Sequence, residues 1–471
     1  MNILQITRRE SGLPAVFNRA QLAAIAVGAV ISYGLISGSV LPLMMAGPAA
    51  VLSYLAAAVL AMLLMRCLSE MTADHPTPGA FGTYAEAYLG ARAGFVVRAA
   101  YVIAVIGIVG TEIALLESVL AGWLAPIPPA LAVTGLLLLL NLLHVAGAAA
   151  FARAEFALTA LKALALIALV ALTGYEAFNG TPVSGESLQT TAADIAEYLH
   201  APSMWEAFAI AALGFIGIEV LSSAGAETRA PSSAIGLWMR RSAGIVAMLV
   251  LASVVASAWV QWHHVLPMNT PPFMYLLELA GVPGARQVFS VLMLVTIVSV
   301  LNCQIYGGSR MLFSMARAGQ APAALGRLRR GGMGLAVTAT VLLAALVYGL
   351  YKLFPAEVYR VVTAFAITGL MAVWMAIFMA YAAYRRRAPI IQKRKGKTAA
   401  WLAWAGALTM AAIAMSTLGM DAFAPTLYYG LPFLMLLWII GHALIRLRSS
   451  KCGFFTPMLA GSDRNISGVN D

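Results

Sequence analysis

Apolar runs of about 20 residues recur along the whole chain, and each is long enough to cross the hydrocarbon of a bilayer. No water reaches that layer, so each backbone N–H and C=O needs a partner within the protein, which makes helices the predicted element. The runs place twelve spans at about 21–45, 48–67, 94–121, 129–151, 156–174, 205–226, 242–262, 287–309, 335–354, 359–384, 399–419 and 426–445. Composition agrees: 61% of the 471 residues are hydrophobic and 10% are charged, against about 25% charged in a soluble domain. The expectation is an all-α polytopic membrane protein. The N-terminal stretch MNILQITRRESGLPAVFNRA is polar and basic and lacks a small-residue cleavage site after a short apolar core, so no signal peptide is expected.

Charge orients the spans. With the N-terminus on the cytoplasmic side, 26 of the 30 Lys and Arg residues fall on that side. The opposite side holds only Arg286, Lys352 and Arg360, and Lys162 lies within a span. This is the positive-inside pattern, with both termini cytoplasmic. The segment between spans five and six is acidic instead, with Glu176, Glu186, Asp194, Glu197 and Glu206. The net charge of +11 is therefore a topology signal. No nucleic-acid partner is expected, because the basic residues are scattered over several loops.

Other chemistry finds little footing. Cys67, Cys303 and Cys452 form no close pair, so neither a disulfide framework nor a metal site is expected. Gly396-Lys397-Thr398 lacks the earlier glycine of a phosphate loop, since Ile391 stands there. The run RRRAPIIQKRKGK reads as a solvated loop. No enzyme constellation and no cofactor are expected.

Two spans are interrupted. Span one, AIAVGAVISYGLISGSV, carries Gly28, Ser32, Tyr33, Gly34, Ser37 and Gly38; span six, AALGFIGIEVLSSAGAE, carries Gly214, Gly217, Glu219, Ser222 and Ser223. A helical glycine costs about 1 kcal/mol against alanine. Clustered glycines let a helix unwind where its freed backbone lines a cavity. The interruptions lie five spans apart, as two inverted repeats of five spans would place them, and such a pair points to a transporter's central site. The bland alternative is tight helix packing.

With MMAGPAAVLSYL, MRCLSEMTADHPTPGAFGTYAEAYLG, GFIGIEVLSSAGAETRAP and VSVLNCQIYGGSRMLFSMARAGQAPAAL, residues 18–390 resemble bacterial amino acid permeases of the amino-acid–polyamine–organocation superfamily, nearest to those for γ-aminobutyrate and neutral amino acids. The resemblance implies the LeuT-type fold, a five-plus-five inverted repeat with broken helices one and six and two added helices. It implies uptake of an amino acid, usually with protons. The expected parts are an N-terminal segment 1–20, a transport core 21–384, a basic loop 385–398, two further helices 399–445 and a tail 446–471.

An amino acid carries a carboxylate and an ammonium into the membrane. By resemblance, the backbone N–H groups of Ser32, Tyr33 and Gly34 suit the carboxylate, and helix N-termini favour anions in general. The carbonyls of Leu213, Gly214 and Phe215, beside Gly217, suit the ammonium. Ser32-Tyr33-Gly34 departs from the two glycines usual in relatives, so Tyr33 either offers its hydroxyl to the substrate or packs away from it. Phe215 resembles an aromatic lid, with core packing as the alternative.

Lys162 is the costliest residue, at about 3 kcal/mol for an ammonium in hydrocarbon. By resemblance it stands where sodium-driven relatives hold a cation, near span-one carbonyls and the hydroxyls of Ser299 or Thr296. A lysine there can gain or lose its proton as its surroundings change, which would link protonation to the inward–outward equilibrium. The alternative is snorkelling, with Glu155 read as the end of the span and Lys162 about 10 Å inside it. Glu219 is expected to pass protons or to brace the broken helix. Glu112 is expected to face the substrate ammonium or to pair structurally, Glu117 to be solvated, and Asn302 to bond between helices. Glu227 and Pro231 read as part of an inner gate.

The leading expectation is a proton–amino acid symporter in the bacterial cytoplasmic membrane. An exchanger without net proton movement and a non-transporting sensor are the rivals. Substrate identity and oligomeric state are not legible.

Overall fold

The computed structural model describes residues 3–37, 40–121, 128–179, 202–264, 266–267, 270–329, 331–387, 398–421 and 423–449. The basic loop at 388–397, most of the tail, Cys452, Gly38 and the acidic residues Glu186, Asp194 and Glu197 lie outside them.

The first half contains α1 (Ile3–Arg9), α2 (Arg19–Val30), α3 (Tyr33–Ile36), α4 (Val40–Ala46), α5 (Ala50–Asp74), α6 (Ala80–Leu89), α7 (Ala91–Ala121), α8 (Pro129–Val145) and α9 (Ala148–Asn179). The second contains α10 (Pro202–Leu213), α11 (Val220–Gly225), α12 (Ser232–His263), α13 (Pro272–Leu279), α14 (Ala285–Arg317), α15 (Gly334–Leu353) and α16 (Pro355–Arg387). Two more, α17 (Ala400–Ser416) and α18 (Ala424–Ser449), follow. Among the described residues, nine helices are long and apolar enough to cross a membrane, and three shorter apolar helices accompany them. The halves match in order. Each opens with a broken span, and each places a short helix, α6 or α13, before its third span.

The spans bury a large apolar core, in which α7 lies against α14, α15 and α16, and α5 against α10 and α12, and a second small cluster forms around Leu43, Ala50 and Ala207. Large exposed side chains such as Leu138, Leu164, Met248, Leu342 and Trp401 sit on outward faces, as expected where lipid is the solvent. Several boundaries differ from expectation: α12 starts at Ser232 rather than about 242, α14 runs to Arg317 rather than about 309, and α5 runs to Asp74 rather than about 67. Span five was expected at 156–174, but α9 starts at Ala148. Its first turns, AAAFARAE, are rich in good helix formers. Arg153 and Glu155 read as the end of a span, yet Glu155 is fully buried.

The N-terminal segment is packed under the bundle. Asn18 caps α2 with a reciprocal Gln21 contact, a capping box. Before it, Val16 and Phe17 N–H donate to Glu227 O at 2.7 and 2.9 Å, and Arg229 N–H donates to Phe17 O at 2.9 Å. Glu10 is buried and accepts from Thr77 Oγ1 at 2.6 Å, Ser314 Oγ at 2.7 Å, Thr83 Oγ1 at 2.9 Å and Arg98 Nη2 at 3.2 Å. Glu86 on α6 meets Arg98 at 2.7 Å and Arg9 at 2.8 Å.

Burial raises the Glu86 carboxyl, but the Arg98 and Arg9 guanidiniums outweigh it and hold the group at about 2. Glu10 is shifted the same way: burial raises it, and Arg98 and Arg9 bring it below the usual carboxylate range. A carboxyl depressed in the folded state contributes stability above its unfolded value, near 4.5, and that contribution fades as pH falls toward about 2. Hydrogen exchange in detergent is therefore predicted to show segment 3–17 opening about tenfold more for each pH unit lost in this window. Exchange at 3–17 that is independent of pH there, after correction for intrinsic rates, would refute the ionic account.

Candidate substrate and coupling site

Helix α2 ends at Val30, and Ile31 (φ −73°, ψ 96°) and Ser32 (φ −102°, ψ 175°) are extended. In a continuous helix, Gly28 O would accept from Ser32 N–H and Ile31 O from Leu35 N–H. The break removes both donors. Lys162 Nζ replaces them, donating to Gly28 O at 2.9 Å and to Ile31 O at 3.0 Å. Its side chain is fully buried, fourteen residues into α9, so it does not snorkel to an interface.

The second break is a tightening. Phe215, Ile216, Ile218 and Val220 N–H each bond three residues back, to Ala212, Leu213, Phe215 and Gly217 O. The Gly214 carbonyl accepts none of these bonds. Gly217 has φ +111°, a conformation L side chains rarely adopt, and a Cβ there would lie 2.5 Å from Ala29 O. The two breaks are thus packed backbone to backbone. Glu219 Oε2 accepts from Gly217 N–H at 3.0 Å and from Trp374 Nε1 at 3.1 Å, which ties the second break to α16.

Between the breaks lies a cavity of about 320 Å³. Of the residues singled out in sequence, Ser32, Leu213, Gly214 and Glu112 line it, and Gly34 lines an adjoining pocket with Ser32 and Gly214. Glu112 Oε2 is buried with no hydrogen-bond partner. Tyr33 packs against the core and is not among the lining residues, and Phe215 is wholly buried. The tight turn sends Leu213, Gly214 and Ile216 to the cavity and Phe215 to the other side. Gln304, Thr111, Thr363 and Tyr359 also line the cavity, although sequence reasoning passed them over. They are ordinary polar residues on spans, with nothing in their spacing to mark the face they occupy.

Two expectations need correction. Neither Ser299 nor Thr296 bonds to Lys162. Thr296 Oγ1 donates to Leu292 O at 2.8 Å on its own helix. Ser299 Oγ donates to Glu155 at 2.6 Å, where a carboxylate takes a hydroxyl proton that an ammonium cannot accept. Asn302 donates from α14 to Glu155 on α9, a bond between helices. Glu117 was expected to be solvated, but it pairs with Lys352 at 3.0 Å.

A cluster of aromatic rings and charge joins the N-terminal segment to α9 and α14. Phe151 stacks on Tyr306 with centroids 4.4 Å apart, and Phe17 meets both rings edge-on. Arg310 lies 3.7 Å over Tyr306, and buried Glu227 accepts from Arg310 Nε at 2.9 Å and Tyr306 Oη at 2.8 Å. No group of three or more His, Cys, Asp or Glu able to hold a metal ion occurs among the described residues.

The family model described as amino acid permease matches residues 21–452. The chain belongs to the amino acid permease family. It is a multi-pass membrane transporter of amino acids, not an enzyme. Similar proteins include the probable GABA permease of Pseudomonas aeruginosa, 29% identical over 68% of this chain and 68% of that one. The aromatic amino acid transport protein AroP of Corynebacterium glutamicum is 26% identical over 69% of this chain and 71% of that one. Among solved structures, the chain resembles Mhp1, a nucleobase-cation-symport-1 family transporter, with TM-score 0.56, 14% identity and coverage of 95% and 97%. It also resembles a manganese transporter of Eremococcus coleocola, with TM-score 0.57, 14% identity and coverage of 93% and 97%. Both likenesses concern the fold, the LeuT-type arrangement with spans one and six broken.

A Cβ at Gly28 would lie 2.0 Å from Glu155 Oε1, and one at Gly217 would meet Ala29 O. Gly28→Ala and Gly217→Ala in this permease are each predicted to lose roughly 2–4 kcal/mol through overpacking and, at Gly217, strain. Gly244→Ala, with open space around it, serves as the control. Thermal unfolding in detergent reads the difference. Melting temperatures equal to the control would show that the breaks are not close-packed.

Proposed function

We propose that this permease imports an amino acid by proton symport through alternating access, in the cytoplasmic membrane of a bacterium. The observation that carries the reading is the Lys162 ammonium seated on the two carbonyls freed by the first break. While charged, it supplies the hydrogen bonds the break removed. Once it loses a proton it supplies fewer and weaker ones, so the segment Ile31–Tyr33 is released. Protonation and the shape of the cavity are then one equilibrium.

The substrate lies in the cavity between the breaks. Its carboxylate takes the N–H groups at Ser32, Tyr33 and Gly34, which have no carbonyl one turn back. Its ammonium takes the Leu213, Gly214 or Phe215 carbonyls, of which Gly214 is unclaimed by the turn, and the free Oε2 of Glu112 adds a negative end. Gly217 holds the second break against the first, and Glu219 braces it. The remaining lining is largely apolar, which suits a small zwitterion with an apolar body. That is compatible with relatives named for γ-aminobutyrate and for aromatic amino acids. The basic face, with both termini, lies in the cytoplasm by the bias of Lys and Arg. The transport core covers 21–384 between a cytoplasmic N-terminal segment 1–20 and the basic loop 385–398, and 399–445 supplies two further helices before a tail 446–471.

Uptake of a panel of labelled amino acids into proteoliposomes, with an inward proton gradient and with or without a protonophore, tests the reading. Wild type is predicted to accumulate substrate and to lose at least tenfold of it to the protonophore. Lys162→Ala is predicted to equilibrate substrate without accumulating it and to lose pH dependence. Uptake that requires internal amino acid and ignores the gradient would make the protein an exchanger.

A further inference from the structure

Glu155 takes no part in the scheme above, yet it is fully buried beside the coupling lysine. It stands seven residues before Lys162, two turns away on the same face of α9, about 10 Å along the axis. Its three side-chain donors are neutral: Ser299 Oγ at 2.6 Å, Thr159 Oγ1 at 2.7 Å and Asn302 Nδ2 at 2.8 Å. A buried carboxylate needs a counter-charge as well as donors, and the cation whose field reaches it is Lys162. Both groups bear on one residue. Lys162 takes the Gly28 carbonyl, and Glu155 lies so close to the Gly28 Cα that a methyl group there would overlap it.

Beyond Glu155, polar groups continue toward the ring cluster of Phe17, Phe151 and Tyr306. Asn302 neighbours His144, which is buried at the end of α8 and stacked on Phe151 with both ring nitrogens free of partners. Asn302 Oδ1 is likewise unpartnered. The row Lys162, Glu155, Asn302, His144 therefore runs from the first break toward the gate of Glu227 and Arg310. The titratable groups facing Glu155 and Lys162 are each other, Glu112 on α7 and Cys303 on α14, and His144 on α8 neighbours Asn302 rather than either of them. Helix α2 offers carbonyls and Gly28. The helices packed against α9 also carry Arg19 on α2, Arg240, Arg241 and His263 on α12, Tyr275 and Glu278 on α13, and Arg286, Tyr306, Arg310 and Arg317 on α14.

We propose that Glu155 receives the coupled proton from Lys162 and is the group from which it leaves toward the basic face. This rests on the symport reading. Lys162 and Glu155 are not hydrogen-bonded to each other in this state, so the first step needs a water between them: an Nζ–H bond breaks, the water relays the proton, and an Oε–H bond forms, so an ammonium and a carboxylate become an amine and a carboxylic acid. The local net charge does not change, which keeps the step inexpensive in a site of low dielectric. The neutral amine then loosens the Gly28 and Ile31 carbonyls. In the second step the Oε–H proton passes to water admitted when the gate opens. Lys162 regains a proton from the opposite face in the next cycle.

Purified full-length protein in proteoliposomes tests this, with γ-aminobutyrate or phenylalanine, whichever the panel shows to be carried. Glu155→Gln is expected to keep exchange at equal pH within about fivefold and to lose at least tenfold of gradient-driven accumulation. Ser299→Ala removes one donor to the carboxylate and is expected to move the internal pH of half-maximal uptake by about one unit. Glu155→Gln with wild-type accumulation and pH profile would overturn the proposal. If that variant does not fold, an unmoved profile in Ser299→Ala overturns it instead. Wild type without proton-driven uptake would be a failure of the symport reading itself, and would show before any variant is compared.

Discussion

The arrangement of this permease depends on one substitution of partners: an ammonium for the backbone N–H groups that an interrupted helix loses. A helix broken in hydrocarbon leaves carbonyls that water cannot reach, and each costs free energy until something donates to it. Lys162 donates to two of them, on Gly28 and Ile31. The lysine and the break stabilise each other. Without the break the ammonium would lack acceptors, and without the ammonium the carbonyls would lack donors. Two features costly alone become tolerable together.

The second break is held by different means. There the chain keeps hydrogen bonds by shortening them to three-residue turns, and Glu219 accepts the Gly217 N–H that the turns leave over. Because Gly217 rests on the Ala29 carbonyl, a shift in either break is felt by the other. The Glu219–Trp374 bond extends that contact to α16. A cavity lined from both breaks is therefore bounded by backbone whose geometry depends on side chains outside it. This is why Lys162 and Glu219, neither of them lining the cavity, bear on what happens within it.

The twelve spans and both breaks were legible because hydrophobic length and clustered glycine are local signals. Lys162 stood out for the same reason, as a lone charge in an apolar run. Glu155 did not. It lies near Arg153 at the end of an apolar stretch, so it read as a boundary, and only the packing of Ser299 and Asn302 around it shows that it is interior. The spacing to Thr159 and Lys162, four and seven residues on, was the available signal that these groups share one helix face. The tie of Glu10 to Arg98 and Ser314 joins positions 88 and 304 residues apart, and no periodicity reports such pairings. Gln304 and Tyr359 were missed because a span's cavity-facing side is chosen by its neighbours, which a single sequence does not display.

The N-terminal segment adds a constraint on how the cavity can open toward the basic face. Residues 16–17 pair with the backbone of Glu227 and Arg229, just past the second broken span, while residues 9–10 are held by α6, α7 and α14. Asn18 then starts α2, the helix whose far end carries the first break. The segment thus joins both broken spans to the bundle on the same side as the Glu227–Arg310 ion pair. Opening there cannot separate the rings of Phe17, Phe151 and Tyr306 alone. It must also part residues 16–17 from 227–229 or move α2 and α11 together with them. The backbone bonds are short and the ionic contacts of Arg9 and Glu10 are buried, so moving the two helices as one body keeps more of the contacts intact. A rigid pair of broken spans, moving as one body against α7 and α14, is the motion this network favours.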